Sequence, residues 1–255
     1  MNRILVPYHL DEHLADLDLP AAADTTVTVD LPPGEPRGDA GWARLGPLYQ
    51  AIADAVHGAA SRGPRPIVLS GDCTTAIGTV AGLQRAGLDP AVIWFDAHGD
   101  LQTMETTTSG YLGGMPLRIL VGYRPELVGE AVGLRAVPEG RVVLVGARDL
   151  DPPEVDYLAG AAMRCREVAD LSDEDLPDGP IYLHFDADVV DGAELPGLRY
   201  PAPDGPGLST VAAALHRVLA TGRVVALGLC CTWRGGYGAG ERFRPHLDEA
   251  LTGWR

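Results

Sequence analysis

Cysteine is scarce in this chain. Four residues in 255, Cys73, Cys165, Cys230 and Cys231, sit at spacings that form neither a disulfide framework nor a CxxC zinc pattern, so a reduced, intracellular protein is expected. Positive charge is also short. Twenty Lys and Arg stand against 35 Asp and Glu, a formal net charge of −15, with no basic cluster and no acidic tail. That balance disfavours nucleic acid as a partner, and an anionic membrane surface would repel the chain. Long apolar runs are missing as well: no stretch approaches the ~20 residues needed to span a bilayer. The opening "MNRILVPYHLDEHLADL" offers only five apolar or neutral residues between Arg3 and His9, too few for a secretory signal. A soluble, cytoplasmic chain is the expectation.

What is present is apolar residues in quantity, 46% of the chain, enough for a substantial core and consistent with a single domain over 1–255. Strand-like runs rich in Val, Ile and Leu occur at 3–8, 66–70, 91–95, 141–146, 181–185 and 223–230. Between them lie segments of helical periodicity, roughly 41–62, 74–87, 110–122, 152–162 and 209–222. Continuous apolar strands alternating with helices predict an α/β fold, a mostly parallel sheet covered by helices on both faces. The Pro- and Gly-rich piece 191–208 reads as an ordered loop rather than a linker.

In open sheets of this kind ligands bind beyond the carboxyl ends of the strands, and the unusual residues are there. "GDC" (Gly71 to Cys73) follows one run, "DAHGD" (Asp96 to Asp100) a second and "DAD" (Asp186 to Asp188) a third, while Cys230 and Cys231 follow a fourth. Alternate residues of an extended segment point the same way, so Asp96, His98 and Asp100 can converge, as can Asp186 and Asp188. A single Asp after a strand commonly caps a helix or forms a turn. Two such clusters in equivalent positions, one holding a histidine, favour metal binding instead. Four carboxylates without basic partners would repel, and divalent cations resolve the conflict. Carboxylates with imidazole suit Mn²⁺ and related ions, and so many ligands imply two ions ~3.5–4 Å apart.

"DAHGDLQT" and "FDADVVDG", preceded by "SGDCTTAIG", resemble the arginase/agmatinase (ureohydrolase) family, which carries GGDHS, DAHxD and SxDxDxxDP motifs in this order. The likeness extends through "TTTSGYLGGMPL" (106–117), "GARDLDPPE" (146–154) and "PAPDGPGLS" (201–209). It implies a three-layer α/β/α fold, a homo-oligomer and a binuclear manganese centre. One ion would be held by Cys73, Asp96, Asp100 and Asp186, the other by Asp96, His98, Asp186 and Asp188. A hydroxide between them would attack the trigonal carbon of a guanidinium, with Asp100 orienting it or relaying its proton. Gln102, Thr107, Ser109 and Tyr111 resemble positions that meet an α-carboxylate, and Asp151 one that meets an α-amino group; Asp151 and Glu154 equally fit a helix N-cap ahead of Pro152 and Pro153.

Three positions depart from the family. Cys73 stands where a histidine is usual; it is either a thiolate ligand, shifting metal preference toward softer ions, or a small packed residue. Gly113 replaces the histidine of SGNLHG that resembles a proton shuttle, leaving His184 as a candidate catalytic substitute or a core residue. Cys231 takes the place of a substrate-binding glutamate. Without that acid a charged guanidinium is held less well, so a less basic group such as an N-hydroxyguanidine or an amidine is favoured. The reading is a metal-dependent hydrolase of a linear C–N bond on a small amino-acid-like molecule, in specialised metabolism. The alternative is a degenerate relative that binds metal or ligand without turnover.

Overall fold

The computed structural model describes residues 1–254. In chain order the strands are β1 (Asn2–Val6), β2 (Tyr8–His9), β3 (Glu12–His13), β4 (Thr25–Thr26), β5 (Pro66–Ser70), β6 (Ala91–Phe95), β7 (Val142–Val145), β8 (Arg164–Arg166), β9 (Ile181–Asp186) and β10 (Val224–Cys230). The helices are α1 (Gly38–Ser61), α2 (Thr75–Arg85), α3 (Pro116–Leu120), α4 (Gly129–Val132), α5 (Pro152–Gly160), α6 (Leu208–Ala220) and α7 (Ala239–Ala250). Eight strands form one sheet in the order β4-β1-β5-β10-β9-β6-β7-β8, and every pairing in it is parallel. The short β2–β3 hairpin stands apart.

The central strands are buried on both faces, and their period-2 alternation sorts side chains into two cores. Val68, Val92, Trp94, Tyr182 and Cys230 enter one core with α1 and α2; Leu69, Ile93, Phe95, Leu183, Phe185, Leu229 and Cys231 enter the other with α6 and α7. Helix α1 supplies its layer through Trp42, Leu45, Tyr49, Ile52, Val56 and Ala59, spaced three or four apart on one face. Helix α2 comes so close that a Cβ on Gly78 would lie 2.5 Å from the Tyr49 carbonyl oxygen and one on Gly82 2.6 Å from that of Ala53. These are the three layers expected.

The differences from expectation are local. The first strand stops at Val6 because Pro7 has no N–H to donate to a ladder. The helix expected over 110–122 is reduced to a single 3₁₀ turn at Leu112–Gly114 followed by α3. Helix α7 had no counterpart in the sequence reading; Gly240 and Pro245 lie inside it, yet Phe243, Leu247 and Ala250 bury one face of it. Segment 191–208 is tied down: the Arg148 guanidinium donates to the carbonyl oxygens of Asp188, Val189, Ala202 and Pro203.

Candidate metal centre

Parallel strands deliver their carboxyl ends to the same edge of the sheet, and the four adjacent strands β5, β10, β9 and β6 deliver chemistry there. Cys73 lies three residues past β5, Thr232 two past β10, Asp186 ends β9 and Asp96 follows β6. In register, Cys230 pairs with Ser70 on one side and Asp186 on the other, while Phe95 pairs with Phe185. The cavity at this edge contains eight carboxylates (Asp72, Asp96, Asp100, Asp149, Asp151, Glu154, Asp186 and Asp188) and no Lys or Arg in its lining.

Within it the ligand-type atoms fall into two groups that share Asp96. Atoms of Cys73, Asp96 and Asp100 lie within 4.8 Å of one another, as do atoms of Asp96, His98 and Asp188. Cys73 Sγ is 2.8 Å from Asp186 Oδ2 and 4.0 Å from Asp96 Oδ2. His98 Nδ1 is 3.2 Å from Asp188 Oδ2 and 3.4 Å from Asp96 Oδ1.

The convergence comes from turns, not from the extended alternation expected of the sequence. Asp96 Oδ1 accepts the His98 N–H at 2.7 Å and Asp186 Oδ1 accepts the Asp188 N–H at 2.9 Å, each folding the chain back on its own carboxylate. Asp100 adopts a left-handed conformation with φ of 54°. Gly99 is required beside it, because a Cβ there would lie 2.6 Å from Glu154 Oε1, which accepts the Leu101 N–H. Asp96 Oδ2 is further fixed by the Trp94 indole N–H at 3.1 Å.

Burial and mutual repulsion set the protonation of the cluster. Burial, then the charges of Asp96 and Asp186, pushes Asp100 well above the carboxylate range. Burial with the Asp188 and Asp96 charges does the same to Asp186, and burial heads the causes that push the Cys73 thiol up. Asp188 is raised to about 6, by burial first and the Asp96 charge second, with His98 opposing. Burial would raise Asp96 too, but hydrogen bonding and charge from His98 win and lower it. His98 reaches about 12: burial opposes its charge, and Asp188 and Asp96 outweigh that. Without another cation, protons and one imidazolium hold the acids together. Asp100 Oδ2 is nevertheless buried without a hydrogen-bond partner. A buried orphan oxygen in an oxygen, nitrogen and sulfur donor set fits a divalent ion.

Other sequence-predicted residues divide. Gln102 Nε2 donates to Asp151 Oδ2 at 2.7 Å, and Thr106 Oγ1 donates to Gln102 Oε1 at 2.7 Å; Thr107, Ser109 and Tyr111 join them in lining the cavity. Glu154 caps α5, accepting the Asp151 N–H at 3.0 Å, and lines the cavity as well. Cys231 is placed elsewhere. Strand β10 presents Cys230 and Thr232 to the site face, so Cys231 between them points into the opposite core and Thr232 occupies the cavity wall. Thr232 Oγ1 donates to Asp186 Oδ1. His184 is outside the cavity lining as well: fully buried, it stacks on Trp94 with ring centroids 3.4 Å apart and bonds Tyr182 Oη through Nδ1 at 3.0 Å. Burial lowers it to about 3, which leaves it a neutral core group rather than an acid facing substrate. Sequence reasoning missed Thr232, Tyr200 and His9; only the alternation along β10 could have singled out the first.

Comparison with known proteins identifies relatives of the chain. A sequence profile described as the Arginase family matches residues 5–231. An arginase of Eremothecium gossypii is 31% identical over 201 residues, 72% of this chain and 50% of that protein. An N(omega)-hydroxy-L-arginine amidinohydrolase of Streptomyces lavendulae is 32% identical over 178 residues, 67% of this chain and 63% of that protein. The chain spans about half the length of the curated relatives it matches. The arginase structure from Bacillus caldovelox superposes with a TM-score of 0.81 over 100% of this chain and 98% of the other, at 22% identity.

The raised Asp188 gives a testable sign. A carboxyl that binds its proton more tightly in the folded state supports folding below its unfolded pKa and loses that contribution as pH rises through the folded value. For Asp188 the window runs from the ordinary carboxylate value of about 3.9 to about 6. In metal-free protein, the Tm of Asp188→Asn relative to wild type should therefore increase as pH is raised across that window. A Tm difference that stays flat or falls would show that Asp188 is not held protonated by its neighbours.

Proposed function

The chain belongs to the arginase family, and on that footing we propose that it is a metal-dependent hydrolase cleaving a linear C–N bond of a guanidine, N-hydroxyguanidine or amidine on a small amino-acid-like substrate. The observation that carries this reading is the pair of ligand groups sharing Asp96 inside one acid-lined cavity at the sheet edge. Cys73, Asp96, Asp100 and Asp186 would hold one divalent ion; Asp96, His98, Asp186 and Asp188 would hold the other, with manganese the family expectation. Such ions, when bound, offset the carboxylate charge and lower the pKa of water enough to make it a nucleophile near neutrality.

The chain's own residues supply the rest. Asp100, whose Oδ2 has no protein donor, would orient a water and, once cations offset the neighbouring charges that raise it, take its proton. Asp151, steadied by Gln102, suits an α-amino group, and the Thr107 and Ser109 hydroxyls with Gln102 suit an α-carboxylate. At the end of β10, where the sequence reading sought a lost glutamate, Thr232 lines the cavity and commits its hydroxyl to Asp186, so that strand end offers no carboxylate to a guanidinium. The less basic N-hydroxyguanidine is the favoured substrate, and a place in specialised metabolism follows from that choice. The reading also includes one domain over 1–255, a homo-oligomer and a cytoplasmic location. No helix among the described residues is long and apolar enough to cross a membrane, and the net charge of −15 opposes nucleic acid.

The test is a comparison of specificity constants for arginine and N-hydroxyarginine, following urea or hydroxyurea release at equal manganese loading. A missing charge-assisted hydrogen bond is worth roughly 1.5–3 kcal/mol, so the hydroxylated compound should be favoured by about one to two orders of magnitude, and Thr232→Glu should narrow the gap. Equal efficiency on both would overturn the substrate assignment; two bound ions with no turnover on either would favour the degenerate metal-binding alternative.

Cys73 has its own test. Cys73→His should keep both ions and raise manganese preference over zinc, whereas Cys73→Ala should lose one ion selectively. Metal content and preference unchanged in both variants would make Cys73 a packing residue only.

A further inference from the structure

A departing alkylamine needs a proton, and most hydroxyl donors in this cavity are already committed or lie at its mouth. Thr232 gives its hydroxyl to Asp186, and Tyr200 is 44% exposed. Tyr111 is bonded instead to an imidazole, a group that can both accept a proton and hand one on. Its Oη lies 3.1 Å from His9 Nε2, and His9 Nδ1 lies 3.0 Å from the Gly71 carbonyl oxygen. A carbonyl can only accept, so Nδ1 carries a proton and Nε2 faces the phenol. The carbonyl end of this chain is fixed: the Gly71 N–H donates to the Tyr8 carbonyl at 3.0 Å, and a Cβ on Gly71 would lie 2.5 Å from that same oxygen.

The phenol sits where it does because Gly113 has no side chain. A Cβ there would lie 2.2 Å from Tyr111 Cζ and 2.3 Å from its Oη, so the ring fills the volume that any other residue at 113 would claim. Tyr111 thereby shares the cavity with Cys73, Asp96 and Asp100. Burial first, then the Asp72 charge, drives the phenol far above its ordinary pKa, so it is protonated at rest and gives up its proton only with a partner that returns one, the place His9 holds.

Resting on the hydrolase reading above, we propose that Tyr111 is the catalytic proton donor to the nitrogen that leaves, with His9 behind it as a positioning residue that restores the proton. As the C–N bond of the hydrated substrate breaks, its electron pair stays on nitrogen, which takes the Tyr111 Oη proton. A solvent proton relayed through His9 Nε2 restores the phenol, while the Nδ1–H stays on the Gly71 carbonyl; 8% of the His9 surface remains open to solvent. Two residues 102 positions apart thus do the work for which the resemblance led us to seek a histidine at 113.

The experiment uses the manganese-loaded protein and two matched substrates: an amino acid bearing an alkylguanidine, whose leaving group is an amine, and its isothiourea analogue, which releases a thiolate and needs no proton. General acid catalysis contributes about 10²–10⁴-fold. Tyr111→Phe should lower kcat on the guanidine by that order with KM little changed, and leave the isothiourea nearly untouched. Gly113→Ala, which keeps Tyr111 but displaces its ring, should show the same selective loss. As a readout independent of turnover, nitrogen NMR of histidine-labelled, metal-free protein should show the His9 Nε2 resonance, identified by its absence in His9→Asn, shifting in Tyr111→Phe. Equal losses on both substrates, an undiminished kcat in Tyr111→Phe, or an unmoved His9 resonance would overturn the inference while the hydrolase reading stands. A wild-type protein that hydrolyses neither substrate, nor N-hydroxyarginine, would remove that reading and this inference together.

Discussion

Buried carboxylates that touch one another cannot all be charged, and the architecture at the sheet edge is organised around that constraint. Asp96, Asp100, Asp186 and Asp188 are each nearly inaccessible to water, and three of them are driven upward by burial and by one another. In a medium of low effective dielectric such repulsion is far larger than at a surface. On the proposed reading, cations at the two ligand groups that Asp96 joins would relieve it. His98, held between Asp96 and Asp188, supplies a positive charge for part of the cluster when metal is absent.

The remaining structure serves to hold those groups still. A parallel sheet brings Cys73, Asp96, Asp186 and Thr232 from separate stretches of chain to one edge, and the two apolar cores on its faces stiffen it. Side-chain-to-backbone bonds then aim each carboxylate: His98 N–H on Asp96, Asp188 N–H on Asp186, Leu101 N–H on Glu154. Arg148 ties the segment after Asp188 to Pro203 through main-chain carbonyls. Such support by packing and hydrogen bonds gives a site its precision.

Much of this was legible in the sequence. Apolar runs located the six main strands to within two residues at every boundary, because strands buried on both faces must be continuously apolar. The clusters at Asp96 and Asp186 stood out since so many acids at strand ends have few structural explanations. Side-chain direction was less accessible. At β10 a one-residue choice of parity decides whether Cys231 or Thr232 faces the cavity, and two adjacent cysteines gave no amphipathic signal to fix it. His184 follows the same parity as Asp186, but being earlier in the strand it lies under the site, against Trp94. The Tyr111–His9 pair was invisible because no local pattern links positions 102 apart. Helix α7 was hidden by glycine and proline that tertiary packing overrides.

The central claim is that this sheet edge holds two adjacent divalent ions bridged by Asp96. Anomalous diffraction from crystals grown with manganese measures it most directly. The account predicts two peaks in the cavity, one among Cys73, Asp96, Asp100 and Asp186 and one among Asp96, His98, Asp186 and Asp188, with Asp96 touching both. A single peak, peaks away from Asp96, or none at saturating manganese would contradict it.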